Sequence, residues 1–133
     1  HFWVYLQRDG KVTEPMMALR LYGSSFDFGV SLEVSFIERK KDEQTLGKQA
    51  KALEIPTVKG IYYLAYSDGQ SQRWEANEEN RQILRNKLSN QEVRKVLVKI
   101  DVPITENSSE EEIVEALLKS YDKILPFYLA TRN

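Results

Sequence analysis

The stretch that most constrains the fold is residues 29–41, which read GVSLEVSFIERKK. Apolar residues recur there at a spacing of two, with small or charged residues between them: Val30, Leu32, Val34 and Phe36 against Ser31, Glu33 and Ser35. This alternation is typical of a β-strand with one buried and one polar face. A charged cluster follows at residues 38–41. We therefore expect a strand central to a sheet, with any chemistry near its charged end.

Further strands are predicted on both sides of this one, at residues 2–7, 16–22, 61–66, 70–76 and 93–102. Two Asp-Gly pairs, at positions 9–10 and 68–69, are typical of tight hairpin turns, and residues 11–13 would begin a return strand. The residue types at 16–22 also suit a helix, but their alternation and the closing Gly23 favour a strand. The hairpins indicate a mostly antiparallel sheet.

Helical periodicity marks three other segments. In the first segment, a narrow apolar stripe is formed by Leu46, Ala50 and Leu53. The second follows the predicted cap Asn77 and has Ile83, Leu84 and Leu88 on its apolar side. The third begins with a capping box of Ser109 and Glu112 and has a broad apolar stripe that includes Ile113, Leu117, Tyr121 and Ile124. Pro56 should stop the first helix, and Pro126 should kink or end the last.

These elements together predict an α+β fold. We expect a mostly antiparallel mixed sheet of about six strands, packed by about three helices and ending in an amphipathic C-terminal helix. The chain of 133 residues has the length of one ordinary domain, so we expect residues 1–133 to form a single domain, either by itself or excised from a longer chain.

Composition excludes several chemistries. The chain has no cysteine, and its one histidine is His1, which removes disulfides, thiolate metal sites and histidine-based catalysis. The phosphate-binding and nucleophile motifs GxxxxGK[ST], GxGxxG and GxSxG are absent. No apolar run reaches the ~18 residues of a membrane span, and no secretory leader is visible. We expect a cytoplasmic protein without a membrane segment. Because the net charge is −1, we expect no overall positive electrostatic field that would attract nucleic acid.

One catalytic hypothesis comes from Asp27 and the E-x-K of Glu38 and Lys40, which follow an apolar strand. This pattern resembles the core of the PD-(D/E)xK nucleases, the restriction-endonuclease-like superfamily, although no proline precedes Asp27. The resemblance implies that the two carboxylates hold Mg²⁺ near a scissile phosphate, while Lys40 helps to activate water. The alternative is that these charges form an ordinary solvated junction, with neither metal nor cofactor.

A binding hypothesis comes from basic and aromatic residues along the chain. The candidate contacts are Arg39, Lys40, Lys41, Arg73, Trp74, Arg94, Lys95 and Lys99. Cationic groups can neutralise phosphates, and an exposed aromatic ring can stack on a base. Glutamates are interleaved with these residues, as they are on ordinary solvated surfaces.

Aromatic residues also stand on both sides of the predicted strands. Trp3, Tyr5, Tyr62 and Tyr66 fall on the apparently polar faces. Such strands are either covered on both sides or expose a surface for a ligand or partner. We therefore expect a non-catalytic module that binds nucleic acid or a protein partner. The alternatives are the Mg²⁺-dependent nuclease and a structural domain that self-associates, for example as a homodimer.

Overall fold

The computed structural model describes residues 3–6, 15–23, 28–35 and 43–132. Six strands and three helices follow one another along these residues: β1 (Trp3–Leu6), β2 (Met16–Gly23), β3 (Phe28–Ser35), α1 (Glu43–Ala52), β4 (Ile61–Ser67), β5 (Gln70–Glu75), α2 (Glu78–Ser89), β6 (Lys95–Pro103) and α3 (Glu110–Arg132). The predicted α+β class is confirmed, including the long C-terminal helix. The turn at positions 9–10 and the return strand at 11–13 lie outside the described residues.

The strands form one sheet in the order β1-β2-β3-β6-β4-β5, and every neighbouring pair is antiparallel. β3 therefore lies inside the sheet, between β2 and β6, as its alternation predicts. β4 and β5 form a hairpin whose turn residues, Asp68 and Gly69, have φ angles of 52° and 78°. Two successive positive φ values are those of a type I′ turn, whose twist matches that of the strands it joins.

The helices cover one face of this sheet and enclose the core. α3 packs against β3 and β6 and also contacts α1. The core residues come from both layers, among them Leu32, Val34, Tyr63, Val98 and Ile100 from strands, and Leu84, Leu88, Ile124 and Phe127 from helices, with Leu53 from the turn after α1. Within the described ranges, no helix is both long and apolar enough to cross a membrane.

Local signals set where two of the helices begin. The Asn77 side chain accepts a hydrogen bond of 2.7 Å from the Asn80 backbone N–H, which caps α2. At α3, the Glu112 backbone N–H donates to Ser109 Oγ at 3.1 Å, and the Ser109 hydroxyl donates to the Glu112 carboxylate at 3.0 Å. Both predicted caps are confirmed, because each side chain satisfies a backbone donor that the first helical turn leaves unpaired.

Proline does not end the last helix. α3 continues through the exposed Pro126 to Arg132, so the expectation that Pro126 could end it is wrong. Proline removes one backbone hydrogen bond, but the residues on either side hold the helix to the sheet. Ile124, Phe127 and Thr131 are all fully buried. Their burial outweighs the local cost of the proline.

Candidate functional site

The face of the sheet opposite the helices carries a concentration of charged and tyrosine side chains. We call it the polar face and define it by Arg20 of β2, Ser31 and Glu33 of β3, Lys95, Lys99 and Asp101 of β6, Tyr62 and Tyr66 of β4, and Arg73 of β5. The pairing register brings these residues together, because partners across antiparallel strands point to the same side. The polar face is thus a product of strand pairing.

Glu33 lies at the centre of a buried ion cluster. The alternation puts Ser31 and Glu33 on the polar side of β3, but this side is not open to solvent at these positions, because each residue is only 1% exposed. Lys99 Nζ lies 3.2 Å from Glu33 Oε2, although the geometry is not that of a hydrogen bond, and Arg20 Nη2 lies 3.5 Å from Oε1. A buried carboxylate needs such partners to stay charged. Lys99, which the sequence predicts as a binding residue, therefore forms an ion pair with Glu33 inside the protein.

The Ser31 hydroxyl adds a second buried polar group to this cluster. Its Oγ has no hydrogen-bond partner among the described residues. Its cross-strand partners are Arg20 and Asp101, which both bear charges. A buried hydroxyl without a partner costs roughly 1–3 kcal/mol.

Tyr62 connects the buried cluster to the accessible part of the polar face. Its hydroxyl donates a 2.8 Å hydrogen bond to Asp101 Oδ1. Burial, and after it this hydrogen bond, raises the pKa of Tyr62 well above its ordinary range. The phenol therefore remains a neutral donor at any physiological pH, and its ring is held in one orientation.

Arg73 lies flat on that oriented ring. Its guanidinium carbon is 3.8 Å from the centroid of Tyr62, and Nη1 lies 3.9 Å from Asp101 Oδ2. The Arg73 side chain nevertheless remains 56% exposed, and its Nε is 3.5 Å from the exposed Glu75. Stacking of this kind restricts a flexible cation without removing it from water.

A second cation–tyrosine pair lies further along the same strands. Lys95 Nζ is 5.7 Å from the centre of the Tyr66 ring, and burial raises the pKa of Tyr66. The backbone N–H of the neighbouring Arg94 donates to the Tyr66 carbonyl at 2.9 Å, and the Arg94 side chain is exposed. Arg73, Arg94 and Lys95 are therefore the predicted binding residues that border this part of the sheet and reach solvent.

Trp74 does not join this surface. Because side chains alternate along a strand, Trp74 points to the helix side, where it pairs across strands with Tyr63 and packs against the core. There it lines a separate groove of about 430 Å³ that also includes Lys87 and Glu92. The structure separates Arg73 from Trp74, which the sequence places side by side.

The remaining predicted site residues lie outside the described ranges: Asp27, Glu38, Arg39, Lys40 and Lys41. The nuclease hypothesis, with its Mg²⁺ site at Asp27 and Glu38, stays a prediction. Among the described residues, no group of three or more acidic or histidine side chains is placed to hold a metal ion.

Sequence reasoning placed Tyr62 on a polar strand face, but it did not select Arg20, Glu33 or Asp101 as site residues. A signal for them exists, because strands 3 and 6 both carry charges inside otherwise apolar runs, at positions 33, 99 and 101. When two apolar strands carry charges of opposite sign, the charges indicate that the strands are neighbours in the sheet and that these side chains pair with each other. The chain matches no protein-family model, and no curated protein or solved structure is significantly similar to it, so the polar face is interpreted from its own geometry.

Proposed function

We propose that this protein is a non-catalytic module that binds single-stranded nucleic acid through the polar face of β4, β5 and β6. The observation that carries the proposal is the pair of cations set against tyrosine rings, Arg73 on Tyr62 and Lys95 near Tyr66. Proteins that bind single strands combine cationic groups for the backbone with planar groups on which bases stack.

The geometry suits this role for Arg73 in particular. A guanidinium that lies on one ring can stack a base on its other side while its N–H groups reach phosphate oxygens. The Tyr62 ring beneath it is fixed by the hydrogen bond to Asp101. This preorganisation lowers the conformational entropy that Arg73 would lose on binding.

Nearby acids limit the affinity that we expect. Glu33 is paired with two cations inside the protein, so it contributes little repulsion. Asp101 and Glu75 lie close to Arg73, however, and a phosphate must compete with them for the guanidinium. We therefore expect a dissociation constant in the range of about 10⁻⁴–10⁻⁶ M at physiological salt, as for sequence-independent binding.

The proposal is tested by fluorescence anisotropy with labelled single-stranded DNA and RNA oligonucleotides at several salt concentrations. Affinity should fall steeply with salt, because each phosphate contact releases counterions. Arg73→Ala and Lys95→Ala should each weaken binding and reduce the slope of log K against log salt by about 0.7. The matched control is Lys123→Ala, an exposed lysine on α3, on the helix side of the sheet.

Two results would contradict the proposal. One is the absence of binding to any oligonucleotide at low salt, and the other is an equal loss of affinity in the Lys123→Ala control. Mg²⁺-dependent cleavage of the oligonucleotide that Glu38→Ala abolishes would instead favour the nuclease hypothesis. A partner protein that binds the polar face independently of salt would also count against the nucleic-acid assignment.

A further inference from the structure

Asp101 places a carboxylate within a surface whose other accessible charges suit phosphate. Its side chain is 30% exposed, and Oδ1 accepts the 2.8 Å hydrogen bond from the Tyr62 hydroxyl. The second oxygen, Oδ2, lies 3.9 Å from Arg73 Nη1, which is too far for a hydrogen bond. No hydrogen bond reaches Oδ2 from the residues that the structure describes. Oδ2 therefore keeps lone pairs that can accept hydrogen bonds from a ligand.

The Asp101 carboxylate is also held in place. The hydrogen bond from Tyr62 fixes one of its oxygens and so restricts rotation of the carboxylate. Glu75, the other acid near Arg73, has a side chain that is 75% exposed and lies 3.5 Å from Arg73 Nε. An acceptor that is already oriented loses less conformational entropy when it binds a ligand. Asp101 is therefore better suited than Glu75 to select one ligand over another.

A base stacked on Arg73 would present its edge to this acceptor. One side of the guanidinium is occupied by the Tyr62 ring, with 3.8 Å between the guanidinium carbon and the ring centroid. Its other side is the one open to a base, since the Arg73 side chain is 56% exposed. A base is wider than a guanidinium, so its edge extends past Nη1 towards Asp101 Oδ2. The carboxylate is thus placed to accept hydrogen bonds from N–H groups on that edge.

The bases differ in what their Watson–Crick edges offer a carboxylate. Guanine presents two adjacent donors, N1–H and the N2 amino group, which the two oxygens of one carboxylate can accept together. Adenine and cytosine each present an amino group beside a ring nitrogen that is an acceptor. Uracil and thymine present a single N–H between two carbonyl oxygens, which a carboxylate repels. Guanine is therefore the base that this acceptor favours most.

We propose that Asp101 makes the polar face selective for guanine at the position stacked on Arg73, by accepting hydrogen bonds from guanine N1–H and N2–H. Oδ2 supplies one acceptor, and the lone pair that Tyr62 leaves on Oδ1 supplies the other. This inference rests on the proposed function and names the base that the site prefers. It also gives a role in binding to an acid that otherwise only competes with phosphate for Arg73.

The selectivity is tested by fluorescence anisotropy at low salt, with a labelled oligouridine RNA in which one central uridine is replaced by guanosine or by inosine. The wild-type chain should bind the guanosine probe at least about fivefold more tightly than the all-uridine probe, the lower end for a bidentate pair, because the site is open to water. Inosine keeps N1–H but lacks the N2 amino group, so its probe should bind clearly more weakly than the guanosine probe. This comparison needs no protein variant.

Asp101→Asn tests the residue itself. Asparagine can still accept the Tyr62 hydrogen bond, but its amide N–H₂ cannot accept a hydrogen bond from guanine. The preference for the guanosine probe should fall below about twofold, while affinity for the all-uridine probe should stay the same or rise, because a negative charge is removed. Glu75→Gln is the matched control: it removes an equal charge beside Arg73 and should keep the preference. A purely structural role of Asp101 would weaken both probes alike and leave their ratio unchanged.

The outcomes separate this inference from the proposed function. Absence of binding to every probe would contradict the proposed function itself. Equal binding of the guanosine and all-uridine probes, or of the guanosine and inosine probes, would overturn the guanine assignment and leave the proposed function standing. A preference that persists in Asp101→Asn, or that Glu75→Gln removes to the same extent, would show that Asp101 does not select the base.

Discussion

At the scale of single residues, the polar face depends on how buried charges are compensated. Glu33 keeps its place in the sheet because Arg20 and Lys99 lie against its two carboxylate oxygens. Removing one partner of such a cluster leaves charge uncompensated in a poorly solvated place. Lys99 should therefore matter for stability more than an exposed lysine does.

Replacing Lys99 with methionine tests this. We expect Lys99→Met to lower the free energy of unfolding by about 2–4 kcal/mol, because Glu33 would keep only the more distant Arg20. Lys119→Met is the control, since the exposed pair between Lys119 and Glu115 should contribute less than about 1 kcal/mol. Urea unfolding of dilute protein measures both. Equal effects of the two substitutions would show that the buried cluster has no special role in stability.

Tyr63 provides a second test at this scale. Its hydroxyl is fully buried without a hydrogen-bond partner among the described residues, and burial raises its pKa to about 12 against a smaller lowering by Arg81. The pKa of Tyr63 in the folded state therefore lies above its unfolded value near 10. The contribution of the neutral phenol to the free energy of unfolding is complete below about pH 10 and is lost as the pH rises through about 12.

Tyr63→Phe should accordingly leave the free energy of unfolding unchanged or raise it by up to about 1 kcal/mol near neutral pH. The advantage of the variant over the wild type should grow between about pH 10 and about pH 12, because phenylalanine cannot ionise. Urea unfolding at several pH values measures this difference. A clear destabilisation near neutral pH would mean that the hydroxyl has a partner.

At the scale of elements, local sequence decides where α2 and α3 begin but not where α3 ends. Asn77 and the pair of Ser109 with Glu112 make the hydrogen bonds that their spacing predicts. Pro126 is a strong local signal for a helix end, yet α3 passes through it, since Ile124 and Phe127 on either side are buried against the sheet. A cap involves only a few neighbouring residues, whereas a helix end depends on what its last turns pack against.

The cap of α2 gives a prediction at this scale. Asn77→Ala should lower the free energy of unfolding by about 1 kcal/mol, because the Asn80 backbone N–H would lose its acceptor. Asn77→Ser should retain most of the stability. Asn86→Ala, within the same helix, is the control and should be neutral or slightly stabilising. Thermal or urea unfolding compares the three variants, and a loss in Asn86→Ala as large as in Asn77→Ala would argue against a capping role.

At the scale of the whole molecule, the sheet separates two surfaces with different chemistry. The polar face presents Arg73 and Lys95 on one side, and the helices lie on the other, where Trp74 packs against the core. A substitution on one side of the sheet can therefore be compared with a substitution on the other. Arg73→Ala should weaken nucleic-acid binding, while Lys123→Ala on the helix side should not.

The sequence by itself determined the α+β class, the alternation of β3, the hairpin turn at Asp68 and Gly69, and the two helix caps. Each of these depends on residues close together in the chain. Only the tertiary structure decided that Glu33 is buried with Arg20 and Lys99, and that Arg73 lies with Tyr62 while its neighbour Trp74 faces the core. Strand order and register make these contacts. Both are set by packing between distant segments, which the pattern within one strand does not specify.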